Sequence, residues 1–246
     1  MNLADGCHYC HSGEELAFLA GPPAEAPDAV VGAIAADPHD HWSGEQWEFL
    51  YRRFASRLID LVRARRVDPG LTLRPFGPSY ANLANWPVQE RATTENALGD
   101  TLVGALKHWP THELVVLLGG LACAYDDLTP WLARLDTAPA AEGDIIRLTC
   151  YWTTSLLWGD DDWFTWWHTD DPVTPVREWT AAVRPRVERF ARAHPECKTA
   201  RDTLTAYDHL DRGGISPWWY PGHGWTQWER RGLPGQFGWL RPSAAN

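Results

Sequence analysis

Apolar residues recur at helical spacing through most of the chain. The clearest segment begins at Ser43, which together with Gln46 predicts a capping box that opens a helix. Its apolar positions lie three and four residues apart: Trp47, Leu50, Tyr51, Phe54, Leu58, Leu61 and Val62. Charged residues occupy the opposite side of the same segment. The pattern therefore predicts a long amphipathic helix with one buried face.

Similar apolar stripes predict further helices before and after this segment. We expect a short helix at about 27–36 and longer ones at about 87–109 and 112–125, with a turn-rich connection at 68–78. Other stripes predict helices near 131–135, 145–156, 176–190 and 195–210. Thr111 is a candidate cap, and Pro185 should kink or divide the helix that contains it.

No segment shows the period-two alternation of a strand, so the predicted fold class is all-α. Short connections between amphipathic helices predict an irregular array of antiparallel helical hairpins with a Gly/Pro/Trp-rich C-terminal extension. The predicted organisation is an N-terminal metal-knuckle-like segment with a short helix at 1–42, the helical array at 43–210, and an irregular aromatic tail at 211–246 that packs on the array.

Composition narrows the class of partner. The chain has 246 residues and a formal charge of −10, which disfavours nucleic acid because phosphate binding needs a basic face. No apolar run approaches the roughly 20 residues of a membrane span, so we expect no membrane partner. The five cysteines do not form a secreted disulfide framework, and the N-terminus lacks the apolar core of an export signal. These features predict a protein of the reducing cytoplasm.

Soft metal ligands are concentrated at the start of the chain, in the sequence Cys-His-Tyr-Cys-His. Cys7 and Cys10 on a tight turn can supply two sulfurs to a zinc ion, and His39 and His41, about thirty residues downstream, can complete a tetrahedron. This arrangement predicts a structural zinc site. The imidazoles that can substitute for either histidine belong to His8 and His11.

The same five residues have other interpretations. Cys-x-x-Cys-His is also the attachment signature of c-type haem, although haem attachment takes place outside the cytoplasm. A redox dithiol is a second alternative, but no thioredoxin-like strand and helix pattern surrounds it. The plainest alternative is a pair of reduced cysteines near a terminus.

The helix-pair rhythm from about Pro27 to Leu210 resembles HEAT-like helical-repeat proteins. The opening cysteine–histidine segment, followed by helices, is similar to a group of uncharacterised bacterial helical proteins that begin in the same way. This resemblance implies an architecture of packed helix pairs. It implies no activity, because it rests on no catalytic motif.

Sixteen tryptophans are a second conspicuous feature. Those on helical stripes are expected to fill space between helices, whereas the tail is too rich in glycine, proline and aromatics for a regular helix. It either covers the helical array or presents a face to a ligand or partner. The candidate residues of such a face are Trp218, Trp219, Tyr220, His223, Trp225 and Arg230.

An acidic aromatic segment, Asp160 to Asp171, has two interpretations. Its acids can cap neighbouring helices, because negative charge complements a helix N-terminus. Alternatively it forms a divalent-metal site. The ligands of such a site would be Asp161, Asp162, His168 and Asp170.

Common catalytic motifs, including the nucleophile elbow, the phosphate-binding loops and His-Glu-x-x-His, do not occur in the sequence. The sequence therefore predicts a non-catalytic cytoplasmic protein that binds a protein or small ligand and carries a structural zinc site. One alternative is a metal-dependent enzyme that uses the Cys/His cluster or the acidic segment. A second alternative is a haem or dithiol redox protein.

Overall fold

A computed structural model describes residue 3 and residues 8–37, 39–138, 142–158 and 173–212. Within these residues the protein has ten α-helices and no strand, which confirms the all-α prediction. The HEAT-like arrangement of hairpins stays a prediction. None of the described helices combines the length and the apolar character needed to cross a membrane. The chain divides into two compact units, one with the described residues up to 138 and one with 142–158 and 173–212.

The first unit contains seven α-helices among its described residues. They are α1 (Gly13–Ala20), α2 (Asp28–Ile34), α3 (Gly44–Arg63), α4 (Pro69–Leu73), α5 (Val88–His108), α6 (Thr111–Tyr125) and α7 (Thr129–Thr137). Short 3-10 turns lie at His39–His41, Arg74–Phe76 and Leu83–Asn85. Helix α6 is the central element and packs on α4, α5 and α7. Helix α3 packs on α2, α4 and α5.

Helix α3 forms as the sequence predicts. Ser43 Oγ accepts a hydrogen bond from the Gln46 backbone N–H at 3.2 Å, and Gln46 Oε1 accepts one from the Ser43 N–H at 2.9 Å. The predicted apolar stripe is buried in full. Its rings join an aromatic cluster in which neighbouring centroids lie 4.9 to 5.8 Å apart: Trp47, Tyr51, Phe76, Tyr80 and Trp86. This cluster is part of the core of the first unit.

Helix α1 was missing from the prediction, although the signal for it is present in the sequence. Ser12 and Glu15 form a capping box with the same Ser-x-x-acceptor spacing as at Ser43: Glu15 Oε2 accepts from the Ser12 N–H at 2.7 Å. The helix is only eight residues long, so its apolar periodicity is short. Leu16 and Leu19 are nevertheless buried, and α1 packs on α2.

Three local features differ from the expectations. The expected turn-rich connection begins with α4, because the Asp68 side chain accepts from the Leu71 N–H at 2.8 Å and Pro69 favours a first helical turn. Thr111 does not cap α6, since Pro110 holds the cap position. Of the two effects expected of Pro185, division of the helix does not occur, because the buried residues Val183 and Val187 keep both halves of α9 packed; the expected kink stays a prediction.

The second unit contains three helices among its described residues: α8 (Glu142–Trp158), α9 (Val173–Ala193) and α10 (Lys198–Asp211). Each packs on the other two. The rings of Trp152 and Trp179 meet edge to face at 5.3 Å between α8 and α9, and the Tyr207 hydroxyl on α10 donates to the Thr180 carbonyl on α9. These contacts place apolar stripes of all three helices in one core.

The approach of α4 to α6 depends on a glycine. A Cβ atom on Gly120 would lie 2.8 Å from the Pro69 carbonyl oxygen and 3.0 Å from Leu73 Cβ. Neither atom is the end of a flexible side chain, so the two helices would have to separate.

We expect Gly120→Ala to lower the free energy of unfolding by about 1–3 kcal/mol, because the added methyl overpacks a backbone contact. Gly104 is the matched control, since it lies within α5 and an added Cβ would meet nothing within 4 Å. Gly104→Ala should leave stability unchanged or raise it by about 0.5–1 kcal/mol through helix propensity. Chemical denaturation of both variants checks this, and equal stabilities would contradict the close approach.

Candidate metal centre

A sulfur and an imidazole from distant parts of the chain meet in the first unit. Cys10 Sγ lies 2.9 Å from His41 Nδ1, although the two residues are 31 positions apart. Cys10 is half-buried, and the His41 side chain keeps 25% of its exposure. The fold therefore brings together one thiol and one imidazole of the predicted zinc site.

Both residues hold the same position relative to a capped helix. Cys10 lies two residues before Ser12, the N-cap of α1, and His41 lies two residues before Ser43, the N-cap of α3. A capping box fixes the chain direction at each helix start.

A single carboxylate oxygen joins the residues that follow the pair. His11 Nε2 donates to Asp37 Oδ2 at 2.7 Å, and Trp42 Nε1 donates to the same oxygen at 2.6 Å. The side chains of His11 and Asp37 are only 1% and 6% exposed, and Trp42 is 4% exposed. The His11 and Trp42 rings lie 5.5 Å apart. We call these three side chains the Asp37 clamp.

The two ring nitrogens of His11 have different environments in the clamp. The hydrogen bond that His11 donates to Asp37 raises the pKa of His11, and it does so against the effect of burial, which favours the neutral ring. His11 Nδ1 is buried and has no hydrogen-bond partner among the described residues. The Nε2 atom of this imidazole is thus fixed by a charge-assisted hydrogen bond. Burial of the Nδ1 atom without a partner is energetically unfavourable.

The structure describes the side chains of only some of the predicted zinc ligands. Cys10 and His41 are in contact, whereas Cys7 and the side chain of His39 lie outside the described residues. His8 is exposed, and His11 is bound to Asp37. Within the described part of the chain, no three Cys, His, Asp or Glu side chains converge closely enough to hold a metal ion.

The distance between Cys10 and His41 is compatible with shared ligation. Zinc–sulfur and zinc–nitrogen bonds of about 2.3 and 2.0 Å at a tetrahedral angle put the two ligand atoms about 3.5 Å apart. The observed 2.9 Å is a hydrogen-bonding distance. Small side-chain rotations would convert this contact into a pair of ligands.

The other described cysteines have different surroundings. Burial raises the pKa of Cys123 and of Cys150 to about 11, so both remain protonated thiols at neutral pH. Cys197 is half-buried at the start of α10. None of these cysteines or Cys10 takes part in a disulfide bond. Cys10 differs from them in its close contact with the His41 imidazole.

A second feature, which the sequence analysis missed, is a cleft of about 470 Å³ in the second unit. Leu156, Ala181 and Leu210 contribute apolar surface to it, and Arg177 and Arg184 contribute guanidinium groups. The Arg184 group is already neutralised, because it bonds Asp211 at 2.6 Å and Glu188 at 3.2 Å. Arg177 is exposed and has no ion-pair partner among the described residues. Only the packing of three helices brings these residues together, so no sequence motif marks the cleft.

The remaining candidates lie outside the described residues. This holds for the predicted ligand face at Trp218, Trp219, Tyr220, His223, Trp225 and Arg230. It also holds for the acidic segment from Asp160 to Asp171. Both sets stay predictions.

Comparison with protein-family models, with curated proteins and with solved structures finds no match to this chain.

We expect Asp37→Ala to lower the free energy of unfolding by about 2–4 kcal/mol, because it leaves two buried N–H groups without an acceptor. Asp40→Ala is the control, since Asp40 belongs to the same segment but its side chain is 86% exposed. That substitution should change stability by less than about 0.5 kcal/mol. Denaturation in the presence of a chelator measures both variants without a metal contribution. Equal losses would show that Asp37 does not hold the segment.

Proposed function

We propose that this protein is a helical binding protein of the cytoplasm in which a structural zinc ion cross-links the N-terminal segment. The ligands are Cys7, Cys10, His39 and His41. The contact of Cys10 Sγ with His41 Nδ1 at 2.9 Å carries the proposal, because two soft ligands separated by 31 residues lie side by side.

Zinc is the metal that this set of ligands favours. Two thiolates and two imidazoles form one of the common tetrahedral zinc sites, whereas calcium and magnesium require oxygen ligands. The sequence supplies the two further ligands at short range, since Cys7 lies three residues before Cys10 and His39 lies two before His41. The ion would link the segment before α1 to the segment before α3.

A structural role follows from the number of protein ligands. Four protein ligands close a tetrahedral site, whereas a catalytic zinc keeps one position for water or substrate. Closing the site stabilises the fold, since the ligands come together only in the folded chain. An enzyme with three protein ligands and a water is the competing function.

We expect the purified full chain to contain one equivalent of zinc, and Cys10→Ser and His41→Gln each to lose it. Cys197→Ser should retain the metal, because Cys197 is half-buried like Cys10 but lies at the start of α10. Elemental analysis measures the zinc content of each variant. A Cys7→Ser variant, which should also lose zinc, is measured with them.

The absorption spectrum of the cobalt-substituted protein then separates the alternatives. Intense d–d bands of a four-coordinate site with sulfur ligands support a closed structural centre. A site that accepts added anions at an open position supports the enzyme. A wild-type chain without metal overturns the zinc proposal, and a haem spectrum would replace it.

The cleft in the second unit supports the binding part of the proposal. Its apolar surface beside the Arg177 guanidinium fits a ligand that has an apolar body and a carboxylate, as small organic acids and peptide C-termini do. The expected ligand therefore carries one negative charge, which binds Arg177, and an apolar part, which contacts the apolar surface of the cleft.

We expect carboxylic acids with an apolar body to raise the melting temperature of the wild-type chain. Arg177→Gln should weaken their binding by about 10-fold or more, because a charge-assisted hydrogen bond is lost. Arg189→Gln is the matched control, since Arg189 is also an exposed arginine of α9 but does not line the cleft. A thermal-shift series followed by calorimetry makes the comparison. Equal affinities of the two variants would exclude Arg177 as the anion contact.

A further inference from the structure

We infer that Asp37 is the positioning residue of the metal centre: its Oδ2 atom holds the backbones that carry Cys10 and His41 in register before any metal binds. This inference rests on the proposed zinc site. Asp37 itself contacts neither Cys10 nor His41 through a described hydrogen bond. It acts through the two neighbours, His11 and Trp42.

The geometry repeats on both sides of the carboxylate. On one side the order is Cys10, His11 and the cap Ser12; on the other it is His41, Trp42 and the cap Ser43. The second residue of each trio donates to the same oxygen, at 2.7 and 2.6 Å. The ligand candidate is the first residue of each trio.

In each trio the ligand candidate is covalently bonded to a residue that hydrogen bonds hold in place, and this restricts the position of the ligand candidate. Each capping box fixes the backbone on the helix side of its trio, and the Asp37 bond fixes the middle side chain. Only one peptide unit then separates a fixed residue from each ligand candidate. Holding His11 and Trp42 at one oxygen atom therefore limits how far Cys10 and His41 can separate.

The energetic cost of burying the Asp37 carboxylate indicates that its role is to position the chain segments and not simply to stabilise the fold. A buried carboxylate loses its hydration, and the pairing with His11 leaves the buried Nδ1 atom without a partner among the described residues. Apolar residues of similar volume would fill the same space without these costs. The best-attested use of such a buried polar group is to select one arrangement among several.

Groups that hold metal ligands in place from outside the coordination sphere typically change metal affinity by about 10- to 100-fold. The clamp does so by lowering the conformational entropy that the two segments lose when the ion binds. Loss of the clamp should therefore weaken affinity while leaving the number of bound ions unchanged.

The test compares two tryptophan variants of the full chain. Trp42→Phe removes the N–H that donates to Asp37, and Trp86→Phe removes an N–H that donates to the Ala81 carbonyl at 2.7 Å. The two residues are 4% and 3% exposed, so each variant loses one buried indole hydrogen bond. They differ in whether that bond belongs to the clamp.

Two readouts are measured on both variants. The first is zinc affinity by competition with a chromophoric chelator. The second is the rate at which iodoacetamide alkylates Cys10 in chelator-treated protein, followed by mass spectrometry of the peptide. We expect Trp42→Phe to keep one equivalent of zinc, to bind it about 10-fold more weakly and to expose Cys10 to faster alkylation. Trp86→Phe should match the wild type in both.

Equal effects of the two variants would overturn the inference, because the loss would then come from general destabilisation. An unchanged Trp42→Phe would overturn it as well. A wild-type chain that binds no zinc would defeat the proposed function, and the alkylation rates would still decide whether the clamp holds Cys10.

A third variant separates positioning from ligation. His11→Gln keeps an N–H donor that can reach Asp37 but removes the imidazole. One equivalent of bound zinc in this variant supports the clamp. Complete loss of zinc, with stability equal to that of Trp42→Phe, would make His11 a ligand and overturn its role in the clamp.

Discussion

The hydrogen bonds that converge on Asp37 Oδ2 are the constraint on which the N-terminal part of the protein depends. One oxygen receives an imidazole N–H from the segment before α1 and an indole N–H from the segment before α3. Because all three side chains are buried, breaking either bond leaves a polar group without a partner. The carboxylate thus selects one relative placement of two chain segments, and the Cys10–His41 contact follows from that placement.

The wider first unit supports this arrangement through charged contacts along α3. Arg57 donates to the carbonyls of Pro23 and Ala26 at 2.7 and 2.5 Å, and it also binds Asp28 at the start of α2. These bonds fasten the connection between α1 and α2 to α3. Since Asp37 follows α2 by three residues, α3 fixes the clamp from two directions. The apolar face of α3 therefore builds the core, while its polar face holds the connection between α1 and α2.

The strongest sequence signals predicted the all-α class and its longest amphipathic helix, and the limits of these signals explain what they left out. The Ser43 box and the seven-residue apolar stripe after it are local patterns, and the structure confirms both. The equivalent Ser12 box was overlooked because an eight-residue helix offers little periodicity to support it. The sequence predicted Cys10 and His41 as ligands from residue chemistry and spacing. It gave no sign of Asp37, whose role depends on two side chains 26 and 5 positions away.

Burial sets two of the described cysteines apart from metal chemistry. Cys123 and Cys150 lie in helix cores, where desolvation raises the pKa of each to about 11 and keeps the thiol protonated. Cys10 lies two residues before the N-cap of α1 and is half-buried, with His41 Nδ1 at 2.9 Å from its sulfur. Partial exposure leaves the Cys10 sulfur accessible to an ion, whereas the helix cores enclose the other two sulfurs. The Asp37 clamp orders both backbones, so the same carboxylate keeps the Cys10 sulfur and the His41 imidazole side by side as a pair of soft ligand atoms.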